Sequence, residues 1–141
     1  MTRLTDQLDR MVARTYARSP SAEALDLPLI DGWSRGRVWC EWTVDSRFAN
    51  ARAILFGGYL SAMLDDLGVS ASDTLVADDQ ANVTQDLRVT FFRPAKVGEH
   101  LRLEAEVVNA SARAHHVEAR VARPDGKLIA TATIVVALVP T

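Results

Sequence analysis

Two adjacent carboxylates, Asp65 and Asp66, interrupt a stretch of otherwise apolar and small residues. An unpaired carboxylate buried in such a stretch is costly or shifts its pKa, so it is either kept at a solvated edge or used as a base or nucleophile. From the residues alone both outcomes stay open. Gly57-Gly58 closely precedes the pair, with Gly58 seven residues before Asp65. Glycines at a helix start leave N–H groups unhindered at its positive end, which suits a carbonyl oxygen gaining negative charge; they also allow a tight turn. Asn50 and Thr84 are polar residues of ordinary loop and strand types. His115 and His116 are neighbours, so in a strand they face opposite ways and cannot chelate one metal as a pair; solvated positions are expected for both. Arg88, Arg93, Lys96 and Arg113 are expected to cluster around strand ends, holding phosphates or lining a solvated sheet edge. No Ser-His-Asp order, P-loop or nucleotide-binding glycine fingerprint occurs.

The elements around these residues follow from periodicity. Leu4, Leu8, Met11 and Val12 recur at helical spacing in residues 4–18, with Asp6 and Asp9 early and Arg14 and Arg18 late, and Ser19-Pro20 is expected to end that helix. Residues 37–44 alternate, with Val38, Cys40, Trp42 and Val44 on one side, and form a first strand. From the Gly pair onward, Leu60, Met63, Leu64, Leu67 and Ala71 share one helical stripe. At about 100° per residue, Asp65 projects roughly 140° from that stripe on one flank and Asp66 roughly 120° on the other. The remaining faces carry Ser61, Ala62, Gly68, Ser70 and Ser72, so this helix, over 58–73, has close neighbours on several sides. In 81–92, Val83, Leu87, Val89 and Phe91 are expected on one face, opposed by Asn82, Thr84, Asp86 and Arg88, and Pro94 stops the strand. Leu101 to Val107 and Val117 to Val121 are further strands, and Pro124-Asp125-Gly126 is a hairpin turn. The last strand, 128–138, is apolar on both faces and belongs in a sheet's interior.

The chain has 141 residues, enough for one domain that buries roughly 68–70% of its unfolded surface. Hydrophobic residues make 48% and charged ones 24%, with a net charge of -2, so neither disorder nor a polyanion-binding protein is expected. No apolar run reaches the roughly 20 residues of a membrane span, and the charged N-terminal segment lacks a signal peptide's apolar centre; the cytoplasm is the expected location. Cys40, the single cysteine, falls in an apolar alternation and is read as core. One long antiparallel sheet wrapped around one helix is the simplest core for this order of elements. Its open edge strands predict pairing between subunits.

The run from Asn50 through Phe56-Gly57-Gly58 to Asp65, then Thr84 and Leu87 to Ala95, resembles the hotdog acyl-CoA thioesterases of the phenylacetate-degradation (PaaI) type. The turn from Asp125 to Ala130 resembles theirs too, and the likeness spans about residues 36–138. It implies an α+β hotdog fold: an antiparallel sheet around one central helix, in a single domain of residues 1–141, with an extra N-terminal helix at 1–19 and the core at 36–139. It further implies hydrolysis of acyl-CoA to free acid and CoA by a homodimer or homotetramer, with the site between subunits and no metal or cofactor other than the substrate's CoA.

By the same resemblance, Asp65 is the general base or nucleophile and the Gly57 amide polarises the thioester carbonyl. Asn50 and Thr84 position the water, while Phe56, Gly58, Asp66, Arg88 and Arg93 fall to substrate binding. Phe56 stands where the family has histidine, and its ring neither donates nor accepts a hydrogen bond. There it adds apolar surface that favours an aromatic or medium-chain acyl group. Three other readings remain: an acyl-CoA-binding hotdog protein without turnover, which Phe56 favours; a hotdog hydratase or dehydratase; and a purely structural role for Asp65 at an interface.

Overall fold

A computed structural model describes residues 1–141. In chain order it contains helices α1 (Arg3–Val12) and α2 (Pro20–Ala24), strands β1 (Gly32–Ser34) and β2 (Arg37–Thr43), a single 3₁₀ turn (Ser46–Phe48) and helix α3 (Gly57–Asp73). Strands β3 (Gln80–Phe91), β4 (His100–Ala110), β5 (Ala114–Ala122) and β6 (Leu128–Pro140) complete it. The six strands form one antiparallel sheet in the order β1-β2-β4-β5-β6-β3. The sheet curves around α3, which is the hotdog fold expected from the sequence.

The stripe Leu60, Met63, Leu64, Leu67 and Ala71 is buried against Val38, Leu103, Val117, Val121, Ile134 and Val136 of the sheet. Each fully buried aliphatic side chain there contributes about 1.5–3 kcal/mol. Gly68 is small because the helix approaches β6 so closely: a methyl group on it would come within 3.0 Å of Ile134 Cδ1. Strand β6 lies inside the sheet, between β5 and β3. Its Thr133 is nonetheless exposed on the outer face, so interior pairing rather than a layer on both sides goes with its apolar character.

The N-terminal helix differs from its expected 4–18 extent. It ends at Val12, and Arg14 turns to φ 60° so that its guanidinium reaches the Ile30 carbonyl and Asp31. Pro20 starts a helix instead of ending one: Ser19 caps α2 by accepting from the Ala22 amide, and proline suits a first helical turn because it has no N–H to leave unpaired. Strand β1 was not anticipated either; three residues that pair only with β2 are too few for a periodic pattern.

Strand β3 departs from simple alternation. Thr84 pairs with Val136 but Asp86 pairs with Val135, which leaves Gln85 as an extra residue, a β-bulge. Opposed residues share a sheet face. Asn82 and Thr84 therefore face the helix together with Leu87, Val89 and Phe91, whose partners are Ile134, Ala132 and Ala130, while Val83, Asp86 and Arg88 face outward. A single alternation across 81–92 placed Val83 with the core and Thr84 with the outer residues; the bulge reverses both.

Candidate active site

Asp65 lies mid-way along α3 on the flank turned to β3, half-buried. Thr84, brought to the inner face by the bulge, donates its hydroxyl to Asp65 Oδ1 at 2.7 Å. This is the only hydrogen bond of the Asp65 side chain within the chain, so the remaining lone pairs of the carboxylate are open. Asp66 projects from the other flank and is exposed. Surrounding protein and the neighbouring Asp65 carboxylate push its pKa up to about 6, an effect moderated by the water that reaches it. The two acids thus differ: one is oriented by a hydroxyl, the other is unpaired.

Phe56 precedes α3 with φ -64° and ψ 125° and offers no side-chain cap. The Tyr59 and Leu60 amides bond to the Phe56 carbonyl at 3.1 and 3.2 Å, but the Gly57 and Gly58 amides donate to no group of the chain. The helix start therefore carries two open donors at its positive end. Both glycines also give room to neighbouring, exposed phenylalanine rings. A methyl group on Gly58 would lie 2.7 Å from the Phe56 ring, and one on Gly57 would lie 3.2 Å from the Phe91 ring. Phe56 itself is 59% exposed.

Asn50 turns the loop that leads to this point. Its side-chain oxygen accepts from the Arg52 and Ile54 amides at 2.9 and 3.2 Å, and its own amide donates to the Ile54 carbonyl at 2.7 Å. That Asx-type turn leaves the side-chain NH₂ exposed and available. Tyr59 anchors the same loop from the helix by stacking on Phe48, with ring centroids 3.7 Å apart, and by donating its hydroxyl to the Asp26 carbonyl.

The basic residues do not converge. Arg88 points outward and bonds Asp86 at 3.2 Å, away from Asp65. Arg93 donates to the Leu128 carbonyl at 2.9 Å just past the end of β3. Arg113 lies beside Leu138, opposite Asn82 at the other end of that strand, roughly 30 Å from Arg93 at about 3.3 Å per residue. The expected phosphate cluster of Arg88, Arg93, Lys96 and Arg113 is therefore absent from the single chain. The strand order, which sends these residues to separate ends and faces, is the reason.

His116 faces outward, as expected, but His115 is buried, 3% exposed, with its Nδ1 2.8 Å from Ser72 Oγ. Burial lowers its pKa. Sequence reasoning missed this pair and its neighbour, Asp73, which accepts from Asn82 at 2.7 Å and is held up to about 6 by burial. A histidine opposite an inward valine is the only signal that could have revealed the first, and it requires the β5–β6 register. No three His, Cys, Asp or Glu side chains come together as a metal would need. No helix is long and apolar enough to cross a membrane.

Two of the surface recesses stand out. The larger, about 540 Å³, lies on the outer sheet face among Arg37, Glu104, Glu106, Glu118 and Arg120, far from the helix start. The smaller, about 370 Å³, opens beside Gly57 between α3 and the end of β3. Continuity with the open helix amides makes the smaller one relevant to the chemistry.

The family model described as the thioesterase superfamily matches residues 53–130. Human acyl-coenzyme A thioesterase 13 is 29% identical over 111 residues, which cover 77% of this chain and 76% of that protein. Among solved structures, a phenylacetic acid degradation-related protein of Ralstonia eutropha JMP134 is 28% identical with a TM-score of 0.78, covering 93% of this chain and 98% of its own. The Escherichia coli PaaI protein, from the phenylacetic acid degradation operon, superimposes with a TM-score of 0.79 over 96% of both chains at 19% identity, a likeness of fold.

Proposed function

This chain belongs to the thioesterase superfamily, and from that premise we propose that it hydrolyses acyl-CoA thioesters to the free acid and CoA at a site shared by two subunits, with Asp65 as the catalytic carboxylate. The observation that carries the assignment is the 2.7 Å bond from Thr84 to Asp65. It fixes one oxygen of a mid-helix carboxylate and leaves the other free to act.

In the reaction, the Gly57 amide donates to the thioester oxygen, and the helix dipole supports the negative charge that develops there. Asp65 takes a proton from water as the water oxygen bonds to the carbonyl carbon. The tetrahedral intermediate then collapses, the C–S bond breaks, and the CoA thiolate is protonated as it leaves. Direct attack by Asp65 would give an anhydride that water then hydrolyses, with the same products. The exposed Asn50 amide is free to hold the water. No metal or added cofactor takes part.

Eight residues separate Gly57 from Asp65 on one helix, about 12 Å along its axis. A single chain therefore cannot bring both to one carbonyl, and the partner's helix supplies the other half. Support for such pairing comes from β3, an open edge carrying Val83 at 55% and Phe91 at 50% exposure. A homodimer or homotetramer satisfies this geometry.

Release of CoA, followed with a thiol reagent over a panel of acyl-CoAs, tests the proposal. Asp65→Asn and Asp65→Ala should each lose at least about 10²-fold in kcat, with the sedimentation profile unchanged. Activity within a few-fold of wild type would remove Asp65 from the mechanism. Tight binding without release from any acyl-CoA would instead favour a binding protein, the reading suggested by Phe56 lying where a hydrogen-bonding ring is expected.

A further inference from the structure

Arg123 follows the last residue of β5 and turns its side chain across to the loop between β3 and β4. Its Nε donates to Glu99 Oε1 at 2.9 Å, and a terminal nitrogen donates to the Pro94 carbonyl, also at 2.9 Å. Glu99 in turn accepts from the Lys96 amide at 2.7 Å, so one guanidinium closes the whole 94–99 loop. Exposed ion pairs hold little geometry, but these two side chains are only 23% and 29% exposed and the contact is forked.

The clamped loop holds the approach to the candidate site. The carbonyl of the buried Ala95 accepts from the Leu55 amide at 2.8 Å, the Val97 amide donates to the Ala53 carbonyl at 3.1 Å, and Ile54 forms a β-bridge with Lys96. Asn50 and Gly57 stand at the two ends of the segment held in this way. Residues 50–56 belong to no helix or strand. Ala53 is bent to φ 58°, a left-handed conformation that persists in a residue with a side chain only where the surroundings impose it. We infer that Arg123 is a positioning residue: through Glu99 and the Pro94 carbonyl it fixes the 94–97 strap, and through that strap the places of Asn50 and the Gly57 amide. The inference rests on the proposed thioesterase reading, in which Asn50 holds the water and the Gly57 amide the thioester oxygen. Arg123 bonds to neither of them and does not line the recess beside Gly57. Remote support of this kind matters because a misplacement of about 1 Å at a reacting centre can cost about 10²-fold in rate. Groups that act on the transition state change kcat more than KM.

Arg123→Met keeps the aliphatic stem and removes the fork. In that variant, peptides covering residues 50–57 should exchange their amide hydrogens at least about tenfold faster, with β4 and β5 unchanged. With an acyl-CoA that the wild type hydrolyses, kcat should fall at least about tenfold while KM stays within about threefold. Arg123→Lys reaches Glu99 but has no second arm for Pro94, so its kcat should lie between those of Arg123→Met and the wild type. Ser72→Ala is the control for stability alone: it weakens the far end of α3 and should leave kcat of the folded protein unchanged. A fall in kcat common to Ser72→Ala and Arg123→Met traces to instability and overturns the inference. Unchanged exchange over 50–57, or faster exchange with undiminished kcat, overturns it too and leaves the thioesterase reading in place. Failure of the wild type to release CoA from any acyl-CoA sinks that reading instead, and the exchange rates then decide by themselves whether Arg123 holds the segment.

Discussion

The two ends of helix α3 are built on opposite plans. At the C-terminal end the polar side chains are paired: Ser72 with His115, Asp73 with Asn82, and Thr74, whose hydroxyl accepts from the Gly36 amide and donates to the Ala71 carbonyl. At the N-terminal end Phe56 provides no cap, and the Gly57 and Gly58 amides stay open beside an apolar recess. A saturated network holds the helix to the sheet, whereas unsatisfied donors cost stability unless something binds them. Under the proposed function, one end anchors the helix and the other recognises substrate, with Asp65 between them.

The sharpest way to break this division is Gly57→Pro. Proline is favoured at the first helical position, and the Phe56 backbone already has the extended geometry that precedes proline. The substitution therefore removes one N–H and asks only that the exposed Phe91 ring yield slightly. Turnover should fall by about 10²–10³-fold, while stability stays level or rises by up to about 1 kcal/mol. Undiminished kcat would show that the open amides are not an oxyanion site.

At the other end the expected effects fall on stability instead. The folded state raises the pKa of Asp73 to about 6, above the roughly 4 of a free aspartate, so it binds the proton more tightly than the unfolded chain. Stability from this group is complete below about pH 4 and is lost as pH rises through about 6. Asp73→Asn keeps the acceptor for Asn82 and removes the charge. It should stabilise the protein by on the order of 2 kcal/mol at pH 7.5 and by little at pH 4, as read from urea unfolding at both values. An equal gain at both would trace the effect to something other than ionisation. Ser72→Ala leaves the buried His115 nitrogen unpaired and should cost about 1–2 kcal/mol, with kcat of the folded protein unchanged. A loss of turnover in proportion would join the two ends functionally and end the distinction.

Much of this arrangement is visible in residue order. The Leu60 stripe, the glycines before it and the carboxylate seven residues beyond Gly58 define α3 and its acid-bearing flank with an accuracy of one residue at the start. Local periodicity suffices there, because a helix is bonded within itself and its faces follow from spacing alone. Near the N-terminus the same reasoning overran: Leu4 to Val12 is helical, but nothing in the pattern told that Arg14 would leave the helix to bond Ile30 and Asp31.

Residue order alone settled the identity of the central helix, the presence of an acid upon it and the turn in front. Tertiary structure decided which way Thr84 faces, that His115 is buried and that Arg88 points away from the acid it was expected to serve with. Those outcomes turn on strand register. Whether Gln85 is an extra residue has meaning only against the hydrogen-bonding ladder of β6, and one unpaired residue sends every side chain beyond it to the other face of the sheet.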